Sequence, residues 1–225
     1  RLLDAGCGAG GLVLAAARAG LPVTGTDIAL RWLVIAAKRL EEEGLHADLV
    51  CADIGRPPFP EAGFDRIAAT DLFEHVPDLP QTVNALFRLL APGGTLYATG
   101  ANRHTLAVYP PAGLWGVGFL PTTLRRRYVT ARRGIDTLRF LAMQTPGSIA
   151  RALRTAGFTA VRTAPMSVPA ERAAATGGAK RALIGIYRLL CEVPIARTGL
   201  LRLGPVFEIS AQRPVGSLGS ERTGQ

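Results

Sequence analysis

Cysteine is scarce in this 225-residue chain, and the three present, Cys7, Cys51 and Cys191, lie far apart with no C-x-x-C pair. That spacing excludes a disulfide-stapled secreted scaffold and a cysteine zinc site, and a reducing, cytoplasmic setting is expected. Acid is scarce in the second half. Residues 101–225 carry 18 Lys and Arg against 5 Asp and Glu, a net of +13, whereas residues 1–100 carry 8 against 12, a net of −4. A basic half of this kind suits an anionic partner or surface. Long apolar runs are missing too. The uncharged stretch 105–121 is broken by Pro110, Pro111, Gly113, Gly116 and Gly118, so it is too short and interrupted to span a membrane. No repeat and no signal peptide is visible, and without an initiator Met the chain is expected to be a fragment or a trimmed form. What is abundant is core material. At 48% hydrophobic residues the chain is expected to fold, and its length suits one sizeable α/β domain.

The stretch Leu2-Leu3-Asp4-Ala5-Gly6-Cys7-Gly8-Ala9-Gly10-Gly11 runs a strand into a glycine cluster, and Leu12 to Arg18 then reads as a helix. Glycines there let a ligand touch bare backbone, and the helix start offers free N–H groups. Two readings fit. Gly6, Gly8 and Gly11 spell G-x-G-x-x-G, the dinucleotide fingerprint of nicotinamide-dependent (NAD(P)) oxidoreductases. Asp4 with Gly6, Gly8 and Gly10 spells D-x-G-x-G-x-G, which resembles motif I of the class I S-adenosyl-L-methionine (SAM)-dependent methyltransferases. A pyrophosphate wants N–H donors and no nearby carboxylate, whereas the ammonium and sulfonium of SAM are cations that an acid favours. Asp4 therefore tilts the reading toward SAM.

Leu21 to Asp27 reads as a second strand. Asp27 falls where an α/β nucleotide site places the carboxylate that accepts ribose hydroxyls, and it also suits the start of the next helix, Ala29 to Glu43. Ala47 to Ile54 reads as a third strand closing on Asp53. The resemblance implies that Asp53 and Ile54 meet the adenine, Asp27 the ribose, and Asp4, Gly6, Gly8 and Gly10 the methionine end, with Ile28 a further cofactor contact. Gly63 to Thr70 is expected as a fourth strand, Leu79 to Leu90 as a helix, and Pro92-Gly93-Gly94 as the turn into a fifth strand. Between them, at the motif IV position, stands Asp71-Leu72-Phe73-Glu74-His75-Val76-Pro77-Asp78, with Asp71 counted among the cofactor contacts.

This D-x-x-E-H-V-P loop resembles that of ubiquinone-pathway O-methyltransferases and other small-molecule or lipid-tail methyltransferases. Methyl transfer to a hydroxyl needs alignment and removal of a proton, and His75 is the candidate general base; its alternative role is to pin the loop. Some relatives hold a divalent cation on an E-x-x-E-H pattern, but Asp71 is a shorter reach and no metal is assigned. The N/D-P-P-Y/F loop that goes with methylation of nucleic-acid bases is missing here.

Further on, Tyr109, Trp115 and Phe119 precede Arg125-Arg126-Arg127, Arg132-Arg133 and Arg139. Such a segment suits a substrate lid or a peripheral membrane contact, and the separation of aromatic from basic blocks disfavours nucleic acid. Thr145 to Ser148 caps a helix, Phe158 to Ala164 reads as a sixth strand, and Pro205 to Ala211 as a final antiparallel one. Lys180 to Cys191 reads as an amphipathic helix whose face of Leu183, Ile186, Tyr187 and Leu190 is expected to pack on the sheet. The expected fold is α/β: a Rossmann-like, seven-stranded, mostly parallel sheet with helices on both faces and the last strand antiparallel. One methyltransferase domain is expected over 1–214, with inserts at about 105–140 and 165–204 and a disordered tail at 215–225. The implied function is SAM-dependent methylation of a small-molecule or lipid-linked acceptor, most simply at oxygen. The alternatives are an NAD(P)-dependent oxidoreductase or a non-catalytic SAM-fold protein on a membrane surface.

Overall fold

Short apolar runs that end in an acid or a glycine form the strands, and the amphipathic segments between them form helices. The computed structural model describes residues 1–168 and 177–216. The first half alternates β1 (Leu2–Ala5), α1 (Gly11–Arg18), β2 (Val23–Asp27), α2 (Leu30–Glu42), β3 (Asp48–Cys51), β4 (Phe64–Thr70), α3 (Leu79–Leu89) and β5 (Leu90–Ala101). There follow a small hairpin, β6 (Val108–Tyr109) and β7 (Leu114–Trp115), and a helix, α4 (Thr122–Arg133). The chain closes with α5 (Pro146–Thr155), β8 (Thr159–Pro165), α6 (Gly178–Glu192), α7 (Pro194–Leu203) and β9 (Val206–Gln212).

Seven strands form one sheet in the order β3-β2-β1-β4-β5-β9-β8. β1 to β5 pair in parallel, and β9 inserts antiparallel between β5 and β8. This is the seven-stranded Rossmann-like sheet expected above. Its strand order reverses at β1, between β2 on one side and β4 on the other, and ligands of open α/β sheets bind outside the carboxyl ends at such a point.

Each face of the sheet carries a core. Leu33, Ala36 and Leu40 of α2 are buried at helical spacing, with Val13 and Leu14 of α1 beneath them. On the other face Val83, Leu86 and Leu89 of α3 join Ile149, Ala150 and Leu153 of α5. Asp78 caps α3, its carboxylate accepting the Gln81 N–H at 2.9 Å. Thr145 and Ser148 cap α5 reciprocally, at 3.1 and 2.9 Å. These caps hold the loops before both helices at the carboxyl edge of the sheet.

The segment between β5 and α5 builds a small core of its own from Ala101, Tyr109, Ala112, Val117, Val129 and Leu138. Arg133 is part of that structure, donating to the Ala112 and Gly113 carbonyls at 2.9 and 2.7 Å. Trp115, Phe119, Ile135 and Phe140 remain exposed. One expectation is corrected here. α6 does not bury its apolar face on the sheet among the described residues: Leu183 and Ile186 stay exposed, and α6 packs chiefly on α7. Tyr187 alone of that face reaches inward to a polar partner, donating to the Met166 carbonyl at 2.8 Å. The tail expected at 215–225 lies outside the described residues from 217 onward. Among the described residues no helix is long and apolar enough to cross a membrane.

Candidate functional site

The glycine turn after β1 is set by conformations that other residues resist. Gly6, Gly8 and Gly10 all have positive φ, at 75°, 50° and 73°. Their neighbours differ. A Cβ on Gly6 would lie 2.9 Å from Leu72 Cδ1, and one on Gly10 would lie 2.7 Å from Ala36 Cβ, so those glycines let the turn settle against the motif IV loop and α2. A Cβ on Gly8 would meet no protein atom within 4 Å. Gly8 lines a cavity of about 610 Å³ at the carboxyl ends of β1, β2, β3 and β4.

Gly6, Gly8, Asp27, Ile28, Asp53, Ile54, Asp71 and His75 all line this cavity. Asp4 and Gly10 take supporting rather than lining positions. Asp4 is buried beneath the turn, near the Val13 backbone of α1; burial, then the nearby Asp27 charge, push its carboxyl up to about 6. The same burial pushes the Cys7 thiol up to about 12, so it is an inert core group.

Asp27 is locked from two sides. Its carboxylate accepts the Gly8 N–H at 2.9 Å and the Ala29 N–H at 2.8 Å, which joins the glycine turn to the entry of α2. Each oxygen keeps a lone pair for a ligand hydroxyl. Asp53 uses one oxygen to accept the Gly55 N–H at 2.8 Å, while Ile54 is buried beside it. Asp71 sits at φ 51°, a left-handed conformation that aspartate tolerates better than most residues. The Thr99 hydroxyl of β5 donates to its carboxylate at 3.3 Å. His75 is exposed at the rim, and its backbone N–H closes the loop onto the Leu72 carbonyl at 2.9 Å.

Glu74 departs from its neighbours. It is buried and absent from the cavity lining, near the Ala101 backbone at the end of β5. Its own carbonyl accepts the Ala142 N–H at 2.8 Å, so this residue stitches the motif IV loop to the segment before α5. Burial raises its carboxyl to about 7. Among the described residues no three His, Cys, Asp or Glu side chains converge in a way that could hold a metal ion.

Two lining residues, Arg31 and Trp32, escape sequence reasoning. Their guanidinium and indole stack at 5.6 Å on the first turn of α2. The signal was available, because Trp32 lies off the Leu33, Ala36, Leu40 stripe that α2 buries and is a large aromatic with no core to enter.

Comparison with known proteins bears on this cavity. A family described as "Methyltransferase domain" matches residues 3–98, which span the strands and turns that build it. The chain is 32% identical over 168 residues to a ubiquinone biosynthesis O-methyltransferase of Aromatoleum aromaticum, covering 74% of this chain and 67% of that protein. It is 31% identical over 169 residues to the protein of the same name from Paracidovorax citrulli, covering 74% and 66%. The chain thus spans about two thirds of the length of these curated relatives. Among solved structures, an S-adenosylmethionine-dependent methyltransferase from Mesorhizobium loti superposes with a TM-score of 0.63 at 20% identity, over 95% of this chain and 90% of that one. Phosphoethanolamine N-methyltransferase 2 of Haemonchus contortus, in complex with S-adenosyl-L-methionine, gives 0.62 at 18%, over 95% and 48%.

Proposed function

The chain belongs to the class I SAM-dependent methyltransferases, and from that premise we propose that it methylates an oxygen of a small-molecule or lipid-linked acceptor. The observation that carries this reading is the cavity's charge. Three carboxylates, Asp27, Asp53 and Asp71, face it against one guanidinium, Arg31. That balance suits a cationic cofactor and opposes a pyrophosphate, which disfavours the nicotinamide reading of the glycine turn. Gly8 also leaves open, bare backbone on the cavity wall.

In this reading the backbone at Gly6 and Gly8 holds the methionine end of SAM. Asp27 and Ile28 hold the ribose, and Asp53 and Ile54 the adenine. Bound there, SAM supplies a methyl group on a sulfonium whose thioether leaves without needing an acid. Asp71, oriented by Thr99, adds negative charge to the wall that faces the cation. His75 accepts the acceptor's hydroxyl proton on an imidazole nitrogen and so leaves the oxygen free to react. The names of the two relatives support oxygen as the acceptor atom, whereas the Haemonchus enzyme shares only the fold. Peripheral membrane contact belongs to the same reading, supported by exposed Trp115 and Phe119 beside the arginines of α4.

Calorimetric titration with SAM, S-adenosylhomocysteine and NADH tests the cofactor. Both SAM forms should bind and NADH should not; NADH binding would overturn the reading. Asp27→Ala should weaken SAM about 100-fold, because it removes the ribose acceptor and both ties that shape the turn. His75→Ala should keep SAM affinity and lose about 10²-fold or more in turnover. Unchanged turnover would return His75 to a loop-pinning role.

A further inference from the structure

A second cavity, of about 600 Å³, opens at the same edge of the sheet, between the end of β5, the start of α5, β8 and the end of α7. Pro146, Ala150, Leu201 and Leu203 give it apolar walls, and Phe119 stands on the His104 ring with 5.7 Å between centroids. Two guanidinium-bearing residues, Arg154 and Arg202, line it, and no Asp or Glu does. Among the described residues neither arginine forms an ion pair with an acid. Among the described residues the Arg154 guanidinium donates to the Val161 carbonyl alone, at 3.4 Å.

Asn102 fixes the shape of this cavity without being free to recognise anything in it. Its amide donates to the Leu201 and Arg202 carbonyls at 3.3 and 3.0 Å, and its oxygen accepts the His104 N–H at 3.2 Å. Buried and fully engaged, it ties the end of β5 to the end of α7. Thr99, whose hydroxyl donates to Asp71, stands three residues earlier on the same strand, so β5 contributes to the surroundings of both cavities.

We propose that this second cavity is a binding site for an amphiphilic anion, an apolar chain that carries a carboxylate or a phosphate. Apolar walls reward burial of the chain, and two acid-free guanidinium groups offer a forked donor to the head. A cationic ligand would be repelled, and a neutral one would gain nothing from the two positive charges. The site is separate from the cofactor cavity, and one extended molecule could reach from it to the reaction centre.

The test titrates the full chain with decanoate and with decyl phosphate, which separate a carboxylate source from a phosphate one, and with 1-decanol as the neutral counterpart. S-adenosylhomocysteine is titrated in parallel, so that a failed cofactor site and a failed second site are told apart. At least one anion should bind one per chain, and should bind protein already saturated with S-adenosylhomocysteine. The exposed pair Arg154→Gln with Arg202→Gln should weaken that anion about tenfold or more, leaving 1-decanol and S-adenosylhomocysteine unchanged. Anions that bind no better than 1-decanol, that ignore the double substitution, or that displace S-adenosylhomocysteine would each overturn the proposal.

Discussion

Gly8 and Gly10 stand two residues apart in one turn and should respond oppositely to a methyl group. Both have positive φ, which costs an alanine about 1–2 kcal/mol. Gly10→Ala adds a clash with α2, 2.7 Å from Ala36 Cβ, so its thermal midpoint should fall the further of the two. Gly8→Ala meets no protein atom and should lose affinity for SAM instead, about tenfold, because its methyl covers bare backbone on the cavity wall. Paired melts and titrations read the two effects separately. Glu74 carries a pH signature. Its folded carboxyl is raised to about 7 from 4.5, so between those values the native chain keeps a proton that the unfolded chain has lost. Stability should therefore fall as pH rises through that window, by about 3 kcal/mol in full, and stay lower above it. Glu74→Gln should flatten the dependence and raise the midpoint most above pH 7. Asp4, raised to about 6 by burial, adds a dependence of the same sign over a lower window, from 3.8 to about 6.

Among the elements, α7 lies on the outside, packed on α6 and β8. It buries none of its own residues, and Asn102 supplies two of the hydrogen bonds at its end. Asn102→Ala would take the partner from two part-buried carbonyls, at a cost of about 1 kcal/mol or more. Hydrogen exchange should show this as lost protection in α7 with β1 to β5 unchanged; uniform loss across the sheet would mean that Asn102 supports the whole fold. α6 shows where periodicity misleads. Its apolar stripe was legible, but a stripe says only that one face is apolar and not what covers it. Strand β9 was legible as antiparallel. Its place between β5 and β8 depends on register with residues more than a hundred positions earlier, such as Tyr97 opposite Ser210.

For the molecule as a whole, charge and exposed apolar surface coincide. The +13 of residues 101–225 accompanies exposed Trp115, Phe119 and Leu183, against a first half that is net acidic. Co-sedimentation with phosphatidylglycerol vesicles should exceed that with phosphatidylcholine, and should weaken when salt is raised from about 50 to about 300 mM. Equal binding to both vesicles would assign the apolar residues alone to the contact. No binding to either would leave the arginines to structure, as Arg133 already is.

Local chemistry accounts for what the sequence by itself determined. Alternation of strand and helix, the glycine turn, and the acids closing β2 and β3 all depend on neighbours within a few residues. They were legible down to Asp27, Asp53 and His75 lining one cavity. A motif carries no depth, however, so Asp4 and Gly10 read like Gly6 and Gly8 although they support the turn from behind. Only the tertiary structure decided which side chains face the ligand, left Glu74 out of the cavity lining that includes His75, and opened the second cavity. Those outcomes rest on pairs such as Gly8 with Asp27, Asp71 with Thr99 and Asn102 with Leu201, which are 19, 28 and 99 residues apart. The fold brings such partners together, and no local pattern encodes their distance.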